Sequence, residues 1–271
     1  MMNGKLDKLK EILKGCGSAV VAFSGGLDST FLASVAQEVL GNKALAVTSI
    51  SPSLPSRDRR DAEEAVKALG LTHRFIETHE LEDERYAANP EIRCFFCKQE
   101  LYRTLTELAR AEGYGVVLDG TNTDDLGDYR PGKEAGKEWK VRSPLLEAGL
   151  TKAEIRELAR ERGLAAWNKP ASACLSSRIP FGTRITPGIL KGVDAAETAL
   201  HRMGFRQVRV RHHGILARIE VERSEISRLL TDGVREEAVR ALKAAGYLYV
   251  TVDLQGYRTG SLNEAIKKDG P

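Results

Sequence analysis

Ser24-Gly25-Gly26-Leu27-Asp28-Ser29 decides the fold through what stands on either side of it. Before it, Ser18-Ala19-Val20-Val21-Ala22-Phe23 is a short apolar run that reads as a fully buried strand. After it, Phe31, Leu32, Val35, Ala36, Val39 and Leu40 recur at the spacing of one helix face. A small glycine-bearing loop between strand and helix lets backbone N–H groups and hydroxyls close on an anion at the helix N-terminus. The loop lacks the Gly-Lys-Ser/Thr ending of a Walker A motif, so transfer of a γ-phosphate is not the expected chemistry. Without its context the same stretch also fits a tight turn of an unrelated α/β domain, with glycine for backbone freedom.

The rest of the first half repeats the alternation. Lys43–Thr48, Thr72–Glu77 and Gly115–Asp119 read as further strands, and Ser56–Leu69, Lys98–Glu112 and Lys152–Glu161 as helices. The last is announced by Thr151 with Glu154 three residues on, the spacing of a capping box. Alternating strands and helices imply an α/β domain with a parallel sheet covered on both faces. Ligands of such sheets bind beyond the carboxyl ends of the strands, where the loops at 24–29 and 120–130 both fall. Trp167 to Gly188 has no periodicity and is long for a connector, which marks it as functional or interdomain. Beyond it a helix, two strands, two helical stretches and a last strand make a smaller α+β domain. The expected division is 1–165, a linker at 166–188 and a second domain at 189–271.

The glycine loop resembles the SGGxDS loop of the PP-loop ATP pyrophosphatases (adenine nucleotide alpha hydrolase-like), which adenylate a substrate and release pyrophosphate. Gly120-Thr121-Asn122-Thr123-Asp124-Asp125, followed by Asp128-Tyr129-Arg130-Pro131-Gly132, resembles their GTNxDD segment. The resemblance implies ATP contacts from Ser24, Gly25, Gly26, Asp28, Ser29, Gly120, Asn122 and Asp124. Cleavage at the α-phosphorus needs Mg²⁺, which takes oxygen ligands; Asp28, Asp124 and Asp125 are the candidate suppliers.

Composition sets outer limits. The 271 residues are 42% hydrophobic and 29% charged, which suits a globular chain with a real core. No apolar run approaches the ~20 residues of a membrane span, and the first residues lack the apolar segment of a signal peptide. The expected location is therefore the cytoplasm, with no membrane partner. The net charge of +3 is small against 41 basic and 38 acidic side chains, a balance that neither demands nor excludes nucleic acid; with no dedicated RNA-binding extension, a nucleic-acid partner is not the expectation. The expected assembly is a homo-oligomer.

Four cysteines in a cytosolic chain do not suggest a disulfide framework. Cys94-Phe95-Phe96-Cys97 stands just before a helix and fits zinc, an iron–sulfur cluster or a redox pair equally. Cys174 lies among small and polar residues, with Lys169 and Arg178 as nearby cations that would favour a thiolate. Cys16, before a buried strand, reads as packing. Three thiolates suffice for three irons of a [4Fe–4S] cluster, whereas structural zinc wants four ligands; the cluster is favoured if Cys174 meets the pair.

SGGLDST, GTNTDDLGDYRPG, SPLLEAGLTKAEIRELA, WNKPASACLSSRIPFGTRIT and VRVRHHGILARIEV together resemble the LarE family across nearly the whole chain. That family performs ATP-dependent sulfur insertion in nickel-pincer nucleotide cofactor biosynthesis. The resemblance implies adenylation of the carboxylates of pyridinium-3,5-biscarboxylic acid mononucleotide and their conversion to thiocarboxylates. Some members sacrifice the sulfur of the cysteine matching Cys174. This chain adds Cys94 and Cys97, and so resembles the three-cysteine members whose [4Fe–4S] cluster carries a labile sulfide. Cys174 and Asp28 are the implied catalytic residues. Ser177, Arg178, Arg209 and Arg211 are implied on the substrate phosphate; as residues alone, Arg209 and Arg211 also fit a solvated strand face. Glu197 and Glu220 read as helix and strand surface residues that would add a metal or polar contact to that pocket, and His212-His213 as structural. The rival expectations are a PP-loop tRNA thiolase, an ammonia-using amide synthetase and a nucleotide-binding module without chemistry.

Overall fold

The computed structural model describes residues 2–127, 132–170, 172–258 and 260–261. It divides into two compact units: Met1–Ser51 with Arg57–Tyr86 and Glu91–Ser172, and Pro52–Ser56 with Ala87–Pro90 and Ala173–Pro271. The segment read as a connector, 166–188, is thus shared between the two, and two short excursions from the first half belong with the second unit.

The first unit is an α/β layer structure. Its main elements are α1 (Met2–Cys16), β1 (Ala19–Ala22), α2 (Leu27–Leu40), β2 (Ala44–Ile50), α3 (Ser56–Leu69), β3 (His73–Glu77), α4 (Arg93–Glu112), β4 (Val116–Leu118) and α5 (Lys152–Glu161). The strands lie in the order β3-β2-β1-β4, and all three pairings are parallel. Because strand side chains alternate, β1 is buried on both faces. Ala19 and Val21 join a core with Leu9, Leu13, Phe31, Leu32, Ile155 and Leu158, while Val20 joins the opposite core with Tyr102, Leu105 and Val117. This is why the run before Ser24 is apolar at every position instead of alternating.

β1 neighbours β2 on one side and β4 on the other, so the chain reverses direction across the sheet at β1. The crevice outside β1 and β4 is the switch point at which such sheets bind ligands. Both polar loops of the sequence open there, one after each of these strands. The Thr151 capping box forms as expected: its side chain accepts from the Glu154 N–H, and Glu154 reaches back to the Thr151 N–H.

The second unit is α+β. α6 (Pro187–Arg202), β5 (Val208–His213), β6 (Leu216–Val221), α7 (Val234–Ala244) and β7 (Tyr249–Val252) build a three-stranded sheet in the order β5-β6-β7. β5 and β6 are antiparallel, while β6 and β7 are parallel. Val208, Val210, Ala217, Ile219 and Val221 point to one face and pack with Ala196, Leu200 and Leu242. Register therefore sends Arg209, Arg211, Arg218 and Glu220 to the other face. No helix among the described residues is long and apolar enough to cross a membrane.

Candidate functional site

The glycine loop is wound tightly around its own hydroxyls. Ser29 Oγ accepts from the Ser24 N–H at 3.2 Å and donates to the Gly26 carbonyl at 3.2 Å, with Ser24 Oγ 3.0 Å away. Gly25 takes φ +69°, and a Cβ there would lie 2.9 Å from Ala62 Cα of α3. Both the left-handed backbone and the close approach demand glycine. Gly120 is held as closely: a Cβ would stand 3.1 Å from the Ser29 N–H nitrogen and 3.3 Å from Asp28 C. The two loops are therefore in backbone contact at the N-terminus of α2.

Asp28, in the first turn of α2, is three-quarters withdrawn from water. Burial pushes its carboxyl above the usual range; Lys152 pulls it down, and the Asp125 charge pushes it up again. Asp28 Oδ1 and Asn122 Nδ2 are buried without a hydrogen-bond partner. The Asn122 side chain favours the charged form of Asp28, yet neither of these atoms makes a full hydrogen bond, so both retain capacity for a polar ligand. These donors fit Mg²⁺, which uses one or two carboxylates and completes its shell with phosphate oxygens and water. Asp125 is buried and accepts from the Asn122 N–H at 3.0 Å, whereas Asp124 is exposed and caps the Lys152 N–H at 2.8 Å.

Lys152 escaped the sequence reading, although its neighbours Thr151 and Glu154 were recognised as a cap. Its Nζ stands 3.6 Å from Asp28 Oδ2, which makes it a cation of the crevice beside the glycine loop. Asp119, at the root of the second loop, accepts from Tyr102 Oη at 2.7 Å, Ser143 Oγ at 2.7 Å and Thr121 Oγ1 at 3.0 Å. Burial raises the Tyr102 phenol to about 12, so it remains a donor at any working pH. This buried network fixes where Gly120 lies. The end of the second loop, Asp128-Tyr129-Arg130-Pro131, is outside the described residues.

One expectation about the cysteines needs correction. Cys94 and Cys97 stand inside the first turn of α4, which begins at Arg93, five residues before the expected start. Phe95 and the aromatic residue after it obscured the helical period there. The spacing puts both thiols on neighbouring positions of one helix face, Cys94 exposed and Cys97 half-buried. Lys169 Nζ holds Asp61 at 2.7 Å and the Gly25 carbonyl at 3.1 Å. Cys16 packs against the core of the first unit, as read.

In the second unit Arg178, Arg209 and Arg211 are buried and Ser177 is half-buried, so the solvated-face alternative for Arg209 and Arg211 fails. Glu197 and Glu220, read as surface residues, are buried as well, and a carboxylate on an apparently polar helix or strand face gave no signal of this. Arg178 Nε and Nη2 grip the two carboxylate oxygens of Glu197, each at 2.8 Å. Arg211 Nη2 holds Glu220 at 2.7 Å and Ser261 Oγ at 2.9 Å, and its Nη1 holds the Ser177 carbonyl at 2.9 Å. Arg211 Nε is buried without a partner. Arg209 lies over the Tyr257 ring, and burial followed by repulsion from Arg178 lowers its affinity for its own proton. Three buried guanidiniums thus share this region with two buried carboxylates, an excess of positive charge suited to an anion.

Against known proteins, residues 12–218 match the asparagine synthase family model. The chain is 46% identical to an uncharacterized protein of Synechocystis sp. over 268 residues, covering 99% of this chain and all of that one. It is 37% identical over 265 residues to the pyridinium-3,5-bisthiocarboxylic acid mononucleotide synthase of Lactiplantibacillus plantarum, covering 97% of this chain and 95% of that enzyme. An uncharacterized protein of Methanocaldococcus jannaschii is 30% identical over 258 residues, 94% of this chain and 98% of the other.

The chain belongs to the LarE family. It is an ATP-using enzyme of the PP-loop class. Among the described residues of this LarE protein, no group of three or more His, Cys, Asp or Glu side chains is gathered as a metal site.

Two predictions test this geometry. Gly25→Ala forces a side chain into Ala62 and should weaken ATP binding about tenfold or more, equivalent to ~1.4 kcal/mol, by calorimetric titration. An unchanged affinity would remove the loop from the site. Burial would raise the Glu197 carboxyl, but attraction and hydrogen bonding from Arg178 hold it below its ordinary value of 4.5. Its contribution is therefore present above that pH and lost as the pH falls through the lower folded value. Urea unfolding of Glu197→Gln should show reduced stability near neutrality and a flatter acid limb than the parent.

Proposed function

We propose that this chain is an ATP-dependent sulfur transferase that adenylates pyridinium-3,5-biscarboxylic acid mononucleotide and converts its carboxylates to thiocarboxylates. One observation carries the reading. A cysteine loop and a buried, arginine-rich strand face are cross-bonded in one unit of a chain that aligns end to end with a mononucleotide synthase.

The chemistry follows from what carboxylates lack. Oxide is too poor a leaving group for direct exchange, so a carboxylate oxygen attacks the α-phosphorus, and pyrophosphate departs with the electrons of the broken P–O bond. Backbone N–H groups of the 24–29 loop face the charge that gathers on the departing phosphates. Asp28 and Asp125, aided by Asp124, would hold Mg²⁺, whose charge offsets that of the triphosphate. Lys152 adds a fixed cation beside Asp28. A sulfur nucleophile then attacks the acyl carbon, and AMP leaves with the C–O bonding pair. Arg209 and Arg211 hold the mononucleotide phosphate.

Cys94, Cys97 and Cys174 have the donor chemistry to hold a [4Fe–4S] cluster, which would supply a sulfide on the iron that no thiolate ligates. The pair stands on the first unit and the third thiol on the second. In a second reading, supported by the clasped backbone at Cys174, its thiolate is itself the nucleophile: it forms a thioester as AMP leaves, and loss of the Cα proton then breaks Cβ–Sγ, leaving the thiocarboxylate and a dehydroalanine.

Anaerobic protein supplied with ATP and the mononucleotide should release pyrophosphate only when both are present. Cys174→Ala should keep that release and lose thiocarboxylate formation. About four irons per chain with an intact Cys174 after turnover support the cluster, whereas a loss of one H₂S from Cys174 supports the thiolate. Pyrophosphate release that ignores the mononucleotide would overturn the assignment.

A further inference from the structure

Arg178 is fully committed inside the second unit. Besides its two-pronged grip on Glu197, its Nη1 donates to the carbonyls of Ala173 at 2.6 Å and Cys174 at 2.9 Å, and to Ser177 Oγ at 2.9 Å. Ser177 Oγ in turn donates to the Cys174 carbonyl at 2.8 Å. The backbone at Cys174 is thus clasped by a guanidinium and a hydroxyl together. The next residue is tied as well, since the Leu175 N–H donates to the Ser53 carbonyl at 2.8 Å.

The same ion pair reaches the arginine strand. Glu197 Oε1 accepts from the Val210 N–H at 2.9 Å, between Arg209 and Arg211, and Arg211 Nη1 holds the Ser177 carbonyl at 2.9 Å. Two independent struts, Arg178–Glu197–Val210 and Arg211–Ser177, therefore join the cysteine loop to β5. Arg178 retains only 1% of its exposure, and its guanidinium is directed at these protein acceptors.

The geometry assigns Arg178 and Glu197 as positioning residues that fix Cys174 relative to Arg209 and Arg211, and removes Arg178 from the substrate-phosphate ligands. The role rests on the proposed sulfur transfer only for its purpose; the frame itself is read separately. An ion pair suits the task because a planar fork can grip a carboxylate and still present a third nitrogen to two carbonyls. Lysine, a single point charge, cannot do both.

The test uses the full chain with two variants. Arg178→Met/Glu197→Leu removes both charges together, so neither is left buried alone, and Ser177→Ala removes only the hydroxyl clasp. Alkylation by iodoacetamide is followed at each cysteine by peptide mass spectrometry, with Cys94 and Cys97 as internal references. Cys174 alkylation should rise about tenfold in the double variant and about threefold in Ser177→Ala, with the references unchanged. In sulfur transfer, kcat should fall about tenfold while KM for the mononucleotide stays within about twofold; Arg209→Ala should raise KM instead. A raised KM in the double variant would restore Arg178 to the phosphate ligands and overturn the assignment. Unchanged Cys174 alkylation in a folded variant overturns the frame, and Ser177→Ala decides that point if the double variant does not fold. A failure of the functional proposal shows separately, as absence of transfer by the parent protein whatever the alkylation rates.

Discussion

Bare backbone at Gly25 and Gly120 is the constraint on which the crevice at β1 and β4 depends. An anion can be met by main-chain N–H groups only where no side chain intervenes, and here the two loops close on each other at ångström tolerance. That contact exists because β1 lies between β2 and β4 in parallel register, which brings the loops after β1 and β4 to one edge. Everything else in the crevice hangs on this backbone frame. Asp28 enters it as the second residue of α2, and Asn122 and Asp125 enter from the opposite loop.

The crevice is electrostatically incomplete as it stands. Burial first, and then the Asp125 charge, raise the Asp28 carboxyl above its ordinary value, and attraction to Lys152 offsets only part of this. A dication with a triphosphate would resolve both the repulsion and the orphaned oxygen. The second unit has the complementary imbalance, with buried guanidiniums outnumbering carboxylates around Arg209. Opposite imbalances suit opposite ligands: a metal-bearing nucleotide in one unit and a phosphate monoester in the other.

Much of this was legible before any coordinates. The helices Ser56–Leu69 and Lys152–Glu161 begin and end where their patterns do, because the apolar period is regular in both and the Thr151 cap agrees with it in the second. The glycine loop was legible for the same reason: loop chemistry and flanking periods point to one structure. What pattern could not show is partnership. Arg178 and Glu197 are nineteen residues apart in sequence and bonded in space, and nothing in either neighbourhood marks it. Glu220 looks like any strand carboxylate until Arg211 and Ser261 are seen around it. Lys152 hides likewise within a cap that explains its neighbours but not its side chain.

Burying a salt bridge is rarely a gain in stability, since desolvation of both ions offsets most of their attraction. The persistence of Arg178–Glu197 at near-complete burial therefore calls for another reason, and the hydrogen bonds supply it. Apolar side chains of the same volume would fill the space, but they could not fix two consecutive carbonyls and a strand N–H at defined distances. On the proposed sulfur transfer, a sulfur attacking an activated carbonyl needs its backbone held to a fraction of an ångström, because small misplacements cost large factors in rate. Charge buried at a cost in stability is thus best understood here as geometry held for the cysteine loop.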